Sequence, residues 1–170
     1  MRSRTRNIVE AGLLIAVSLV LSRIKIFQAP YGGSVTAGAM VPLFIAALRM
    51  GPGMGIFTGA VYGLVKLAFG GTVVHPAQLL LDYPVAYGLA GLAGFFPRKP
   101  LVGVTAGILG RFAASWLSGV VFFGQYAPKG TPAAVYSFLY NGSYLGAELI
   151  ISLVIVGLVY PVLSRRLRTS

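Results

Sequence analysis

The sequence predicts an all-α integral membrane protein, a bundle of six transmembrane helices whose two termini both lie in the cytoplasm. The first supporting observation is composition: 56% of the 170 residues are hydrophobic, only 10% are charged, and the mean hydropathy is +0.83. Such a chain resembles membrane proteins more than soluble ones. The second observation is that short turns divide the chain into six apolar segments. The third is that most of the cations lie in the segments predicted on one side of the membrane. We expect a single substrate-binding domain over residues 1–170.

The six apolar segments are predicted from their lengths and from the Pro, Gly and Arg residues that separate them. They lie at 8–27, 35–48, 53–69, 76–96, 101–123 and 143–163. Two of the connections are long enough to have a role of their own. The first, residues 27–36, contains Tyr31 and is rich in Pro and Gly, so we expect a lid-like loop. The second, residues 124–142, is predicted to be a polar and aromatic connection.

The net charge of +11 predicts the orientation of the chain in the membrane. Cations are more frequent in cytoplasmic loops than in external ones. Those predicted on the side of the termini are Arg2, Arg4, Arg6, Arg49, Arg98, Lys99, Arg165, Arg166 and Arg168. The opposite side has only Arg23, Lys25 and Lys129. The charge is therefore explained by topology and does not require a nucleic-acid partner.

Several chemistries are excluded by the residues that the sequence lacks. There is no cysteine and only one histidine, so we expect no metal site and no cofactor. A single histidine also leaves no credible catalytic triad. The sequence has no phosphate-binding loop of the type found in ATPases. We therefore predict that the chain is not an enzyme and has no energy source of its own.

A polar interruption of the apolar sequence, from His75 to Tyr83, predicts one wall of a binding site. Pro76 is suited to the first turn of a helix. Gln78 and Asp82 are then one turn apart on the same face, with His75 at the mouth of that stripe. An acid this deep in a spanning helix usually faces the bundle interior or a cavity. We expect this stripe to contact the ligand.

Four ionisable residues are predicted at membrane depth: Lys66, Asp82, Arg111 and Glu148. They could pair with one another and serve only to hold the bundle together. We favour pairing for Lys66 and Arg111, and a ligand-binding role for Asp82. For Glu148 both interpretations remain open. If all four pair, aromatic faces would have to hold a cationic ligand.

A second polar cluster follows the fifth segment. Asn141, Tyr144 and Glu148 recur at helical spacing and therefore share a face. An interfacial aromatic belt would explain the tyrosines, but it would not explain Gln125 or Asn141. Aromatic rings with a few convergent polar groups are suited to a flat heteroaromatic solute.

The first segment contains a pair of small residues, Gly12 and Ala16, at helical spacing. Such a pair allows another backbone to approach closely. Packing within the bundle would use it equally well.

Three separated stretches, in this order, resemble one family of importers. They are YGGSVTAGAMVP, HPAQLLLDYPVAYGLAGLAGFF and SGVVFFGQYAPKGTPAAVYSFLYNGSY. They are similar to the ThiT-like, thiamine-specific S components of energy-coupling factor (ECF) importers. The resemblance implies a six-helix subunit in the plasma membrane of a prokaryote, open to the outside. It also implies that the subunit docks on a transmembrane T component driven by two ATPase subunits.

The same resemblance implies roles for particular residues. The residues expected to line a thiamine site are Asp82, Tyr83, Phe123, Tyr136 and Asn141, and those expected to contact the T component are Gly12 and Ala16. The chain also departs from the family pattern. Ser115 stands where members often have His, and Gly33 and Ala37 stand where some have Trp and an acid.

These departures keep several ligands and functions open. The ligand could be thiamine, a precursor such as the hydroxymethyl-aminopyrimidine, or an analogue. A self-sufficient secondary transporter is the alternative from another class, and it predicts inverted repeats. We find no convincing repeat between residues 1–85 and 86–170.

Overall fold

The computed structural model describes residues 2–29 and 33–168, which form six helices and one β-hairpin. In chain order these are α1 (Arg2–Leu21), β1 (Lys25–Gln28), β2 (Ser34–Thr36), α2 (Val41–Met50), α3 (Pro52–Ala68), α4 (76–95), α5 (Pro100–Phe122) and α6 (Ala133–Arg168). The prediction of a helical protein with six helices is confirmed. Proline stands in the first turn of α2, α3, α4 and α5, where its missing N–H is not needed.

Helix α4 begins at Pro76, as predicted, and changes character along its length. His75 caps it, its Nδ1 accepting a hydrogen bond from the backbone N–H of Ala77 at 3.1 Å. The helix is α-helical over Pro76–Leu80, π-helical over Leu81–Val85, α-helical over Ala86–Gly88 and 3-10 over Leu89–Phe95. Pro84 lies within the π turn and cannot donate a backbone hydrogen bond, which favours a local change of helical pitch.

Both ends of the Pro- and Gly-rich loop predicted over residues 27–36 are strands of a β-hairpin. β1 and β2 pair antiparallel, with Phe27 opposite Val35 and Gln28 opposite Ser34. Aromatic and β-branched residues favour strands. Residues 30–32, including Tyr31, lie outside the described residues. β1 is exposed, whereas most of β2 is buried against the bundle.

The bounds of three helices also differ from the prediction. Helix α1 spans Arg2–Leu21, six residues earlier at each end than the predicted segment 8–27. Helix α6 begins at Ala133, so residues 133–142 are helical and not part of the connection. Their polar side chains face a neighbouring helix, and that burial cannot be recognised from local sequence. Helix α2 has only 10 residues, about 15 Å at 1.5 Å per residue, which is half of a bilayer core. It is buried throughout Val41–Leu48.

Contacts between helix ends divide the bundle into two ends. Arg49, at the end of α2, forms an ion pair with Glu10 of α1. The hydroxyl of Tyr160 in α6 lies 3.5 Å from the carbonyl oxygens of Leu48 and Pro97. The α2–α3 and α4–α5 turns therefore lie at one end with the last part of α6. The hairpin and the connections that follow α3 and α5 lie at the other, which we call the hairpin end.

The exterior of the helices is apolar. Leu13 and Val20 on α1, Leu109 on α5 and Leu158 on α6 are each more than half exposed. Two helices in the described part of the chain, Pro100–Phe122 and Ala133–Ser164, are long and apolar enough to cross a membrane. Apolar outer faces of this kind are suited to contact with lipid.

Helices α3 and α4 approach each other closely through glycine. A side-chain Cβ at Gly59 would collide with the carbonyl of Tyr87, and one at Gly63 would collide with the carbonyl of Tyr83. Small residues permit such backbone contact between helices in membranes. The contact places Tyr83 and Tyr87 beside α3, at the hairpin end.

Candidate ligand-binding cavity

A cavity of about 370 Å³ opens at the hairpin end. Its walls come from the end of α1, the hairpin, α3 and the segment after it, α4, α5 and α6. The polar and aromatic side chains that line it include Lys25, Gln28, Lys66, Gln78, Asp82, Tyr83, Tyr87, Arg111, Ser115, Phe123, Tyr136, Ser137, Tyr140, Asn141 and Tyr144. A volume of this size accommodates one small organic molecule.

Asp82 is the acidic side chain among the lining residues, and Gln78 holds it in place. The Gln78 amide donates to Asp82 Oδ2 at 2.7 Å and to the Thr72 carbonyl at 3.2 Å, and its oxygen accepts from the Val74 N–H at 3.0 Å. Gln78 is fully buried. Its amide is therefore committed to the protein, and it orients the carboxylate toward the cavity.

Asn141 joins α5 to α6 across the cavity wall. Its amide nitrogen donates to the Ser137 carbonyl at 3.0 Å and lies 3.3 Å from the Ser115 carbonyl. The Tyr144 hydroxyl donates to its oxygen at 2.7 Å. These bonds fix the Tyr144 ring, so Asn141 shapes the cavity as much as it lines it.

Three tyrosines one turn apart on α6 form an aromatic wall. The rings of Tyr136 and Tyr140 are stacked with centroids 6.1 Å apart, and Tyr140 meets Tyr144 edge to face at 5.8 Å. The Tyr140 hydroxyl accepts a hydrogen bond from the Gly33 N–H at 3.0 Å. The aromatic wall therefore also holds the hairpin.

Lys66 and Arg111 do not form the ion pairs that were predicted for them. Lys66 Nζ donates to the Tyr87 hydroxyl at 2.6 Å, and Arg111 donates to the same oxygen at 3.1 Å. Both cations also lie over the Tyr87 ring, 5.0 and 4.3 Å from its centroid. The pairing prediction is wrong because Tyr87, brought in by the α3–α4 contact, accepts from both cations, while Asp82 accepts from Gln78 and Glu148 accepts from Thr36.

Comparison with known proteins identifies the family to which the chain belongs. A family model described as "Thiamine transporter protein (Thia_YuaJ)" matches residues 8–167. The chain belongs to this thiamine transporter family. The family is one of transporters.

Individual members of the thiamine transporter family match along most of the chain. The thiamine transporter ThiT of Bacillus subtilis (strain 168) is 36% identical, over 96% of this chain and 95% of its own length. That of Lacticaseibacillus paracasei is 29% identical, over 91% and 87% respectively. A structure of ThiT from Listeria monocytogenes superposes with a TM-score of 0.82 at 24% identity, covering 92% of this chain and 93% of that one. It shares the fold.

Seven of the predicted site residues line the cavity of this family member. They are Gln78, Asp82, Tyr83, Ser115, Phe123, Tyr136 and Asn141. Three others lie elsewhere. His75 is exposed, caps α4 and stacks on Phe122 at 5.0 Å, and Gln125 is exposed on the turn Gly124–Tyr126. Glu148 is buried under the hairpin, where its carboxylate accepts from the Thr36 N–H at 3.1 Å and from the Thr36 hydroxyl at 2.6 Å.

The small pair Gly12 and Ala16 is exposed, and a Cβ at Gly12 would meet no atom within 4 Å. Ala11, Ile15 and Ser18 form the face of α1 that packs into the bundle. The alternative that the small pair packs within the bundle is therefore wrong.

Sequence reasoning missed Tyr87 and Tyr140 as cavity residues. Tyr140 lies midway between Tyr136 and Tyr144 at helical spacing, a signal that would have been visible had residues 133–142 been predicted as helix. Tyr87 is five residues after Asp82, which does not match an α-helical face. The π turn over Leu81–Val85 brings both Asp82 and Tyr87 to the cavity. In the sequence, only Pro84 indicates that turn.

Proposed function

We propose that this protein is the thiamine-binding S component of an ECF-type vitamin importer, and that thiamine binds in the cavity at the hairpin end. Membership of the thiamine transporter family supports the ligand. The single observation that carries the location is the cavity itself. There, the carboxylate of Asp82, held by Gln78, faces a wall of aromatic rings on α6.

The chemistry of this lining is suited to the two rings of thiamine. An aminopyrimidine presents both donors and acceptors at its edge, and Asp82 can accept from its amino group with a charge-assisted hydrogen bond. The faces of Phe123 and Tyr136 can stack on a flat ring. A thiazolium cation is attracted to the negative face of an aromatic ring. Carboxylate and rings together would therefore recognise both ends of the molecule.

The proposed orientation places both termini in the cytoplasm and the cavity toward the outside, in the plasma membrane of a prokaryotic cell. The end of the bundle opposite the cavity holds the turns with Arg49, Arg98 and Lys99, which is the distribution of a cytoplasmic face. An impermeant thiol reagent should label a cysteine at Gly130 only from outside and one at Lys99 only from inside. Labelling of both positions from one side would contradict six membrane crossings.

The proposed partners are a transmembrane T component and two ATPase subunits. The sequence has no phosphate-binding loop, and the exposed small pair on α1 offers a surface for close helix contact. The purified chain should therefore bind thiamine but not accumulate it in liposomes, even when ion gradients are imposed. Uphill uptake by the chain alone would instead establish a self-sufficient secondary transporter.

The choice between thiamine and a precursor is tested by direct titration. We expect thiamine to bind more tightly than the hydroxymethyl-aminopyrimidine, because only thiamine has the second ring and its charge. Mass spectrometry of the small molecules that co-purify with the protein provides an independent measurement. Tighter binding of the precursor, together with its recovery from the purified protein, would overturn the assignment of thiamine.

A further inference from the structure

The guanidinium of Arg111 has more donors than the protein fills. The side chain is only 7% exposed, yet it lines the cavity. One terminal nitrogen contacts the sulfur of Met40 at 2.6 Å and the other contacts the Tyr87 hydroxyl at 3.1 Å. A thioether is a weak acceptor, and the buried Nε has no hydrogen-bond partner among the residues that the structure describes. Buried charged donors normally have hydrogen-bond partners, so we expect the Arg111 guanidinium to bind another acceptor.

Lys66 and Tyr87 direct further donors to the same place. The Tyr87 oxygen accepts from both Lys66, at 2.6 Å, and Arg111. Since both cations donate to that oxygen, the hydroxyl's own hydrogen is available for a third group. All three residues line the cavity, and they come from α3, α4 and α5. Two positive charges and a hydroxyl therefore converge without a shared anion.

The acidic side chains of the described residues do not form an ion pair with these two cations. In the described ranges 2–29 and 33–168, the ion pair that forms joins Arg49 to Glu10, at the opposite end of the bundle. Asp82 accepts from Gln78, and one oxygen of Glu148 accepts from Thr36, while the other oxygen of Glu148 has no hydrogen-bond partner among the described residues. Both acids are close enough to Arg111 to influence it electrostatically, but neither forms an ion pair with it.

We infer that Lys66, Tyr87 and Arg111 form a binding site for a small monovalent anion such as chloride. The anion supplies a further acceptor for the ammonium, the hydroxyl and the guanidinium. Its coupling to the organic ligand rests on the proposed function. A thiamine cation that enters a cavity lined by Lys25, Lys66 and Arg111 is repelled by them, and a bound anion offsets that repulsion.

The anion site is tested first without thiamine. Chloride binding to the purified protein is measured from the broadening of the chloride NMR signal, in a detergent solution without other halides. Lys66→Gln should abolish the protein-specific broadening and Lys66→Arg should retain it. The matched control is Lys129→Gln, which removes an exposed cation on the connection after α5 and should change nothing. Equal broadening by the unaltered protein and by a folded Lys66→Gln variant would overturn the site.

The coupling is tested by titrating thiamine in sodium chloride and in sodium gluconate at equal ionic strength. We expect the affinity to be about fivefold or more weaker in gluconate, within the usual range of coupling between two sites. Lys66→Gln should remove this difference, whereas Lys129→Gln should preserve it. Equal affinities in both salts would overturn the coupling. Chloride binding by a protein that does not bind thiamine would overturn the proposed function and leave the anion site standing.

Discussion

The two principal walls of the cavity are built in different ways. On the α3–α4 side, backbones touch at Gly59 and Gly63, so the position of Tyr83 and Tyr87 depends on the absence of side chains. On the α6 side, the hairpin is held by hydrogen bonds to side chains, from Gly33 to Tyr140 and from Thr36 to Glu148. Backbone packing leaves little freedom to move. Individual hydrogen bonds can break one at a time. We therefore infer that α4 is the fixed wall and that the hairpin is the adjustable one.

The largest effect should come from the carboxylate on the fixed wall. Asp82→Asn removes the charge with little change in size, and a charge-assisted hydrogen bond contributes about 1.5–3 kcal/mol. Thiamine affinity should fall by roughly one to two orders of magnitude. The measurement is a titration with thiamine, together with thermal unfolding without ligand.

Glu10→Gln is the matched control for this change, because it removes a carboxylate that pairs with Arg49 at the opposite end of the bundle and does not line the cavity. Its thiamine affinity should change by less than about threefold, or less than ~0.7 kcal/mol. An Asp82→Asn protein that binds thiamine normally but melts at a lower temperature would show that Asp82 is structural.

The next substitution tests whether the close packing of α3 against α4 depends on glycine. Gly63→Val places a side chain against the Tyr83 carbonyl, which the backbone can relieve only by moving the two helices apart. Overpacking of this kind costs about 1–3 kcal/mol, so the midpoint of thermal unfolding should fall. Thiamine binding should weaken as well, because Asp82 and Tyr83 move with α4.

Gly12→Val is the control, since a Cβ at Gly12 meets no atom within 4 Å. It should leave both the unfolding midpoint and thiamine affinity unchanged. If the proposed docking on a T component takes place at the small pair Gly12 and Ala16, the substitution should reduce transport alone. Equal loss of stability in both variants would contradict the special role of the α3–α4 contact.

The smallest effect concerns the adjustable wall. Tyr140→Phe removes the acceptor of the Gly33 N–H, a single hydrogen bond worth about 1 kcal/mol. We expect thiamine affinity to fall by less than about tenfold, mainly through faster dissociation, because the hairpin is held less firmly. Stopped-flow kinetics measures the association rate and the dissociation rate separately.

Tyr160→Phe removes a hydroxyl at the opposite end of the bundle and provides the comparison. It should leave both rates unchanged. A slower association with normal dissociation in Tyr140→Phe would contradict the assignment of the hairpin as a wall that retains the ligand.

Several features of the fold and site could be predicted because they depend on neighbours in the sequence. Pro52, Pro76 and Pro100 mark helix starts through the geometry of their own rings. The Gln78–Asp82 hydrogen bond follows from four-residue spacing on one helix. The family resemblance extended this local information to Phe123, Tyr136 and Asn141, which line the same cavity.

What the sequence determined by itself was the helical class, the starts of α3, α4 and α5 and the polar stripe on α4, because each depends on residues within one or two turns of one another. Only the tertiary structure decided the partners of the buried charges. Lys66 and Arg111 meet at Tyr87 because glycines in α3 let α4 come close, and Glu148 holds Thr36 across 112 residues of chain. A charged side chain takes whichever acceptor the packed helices bring within reach, and that distance exists only after the helices have packed.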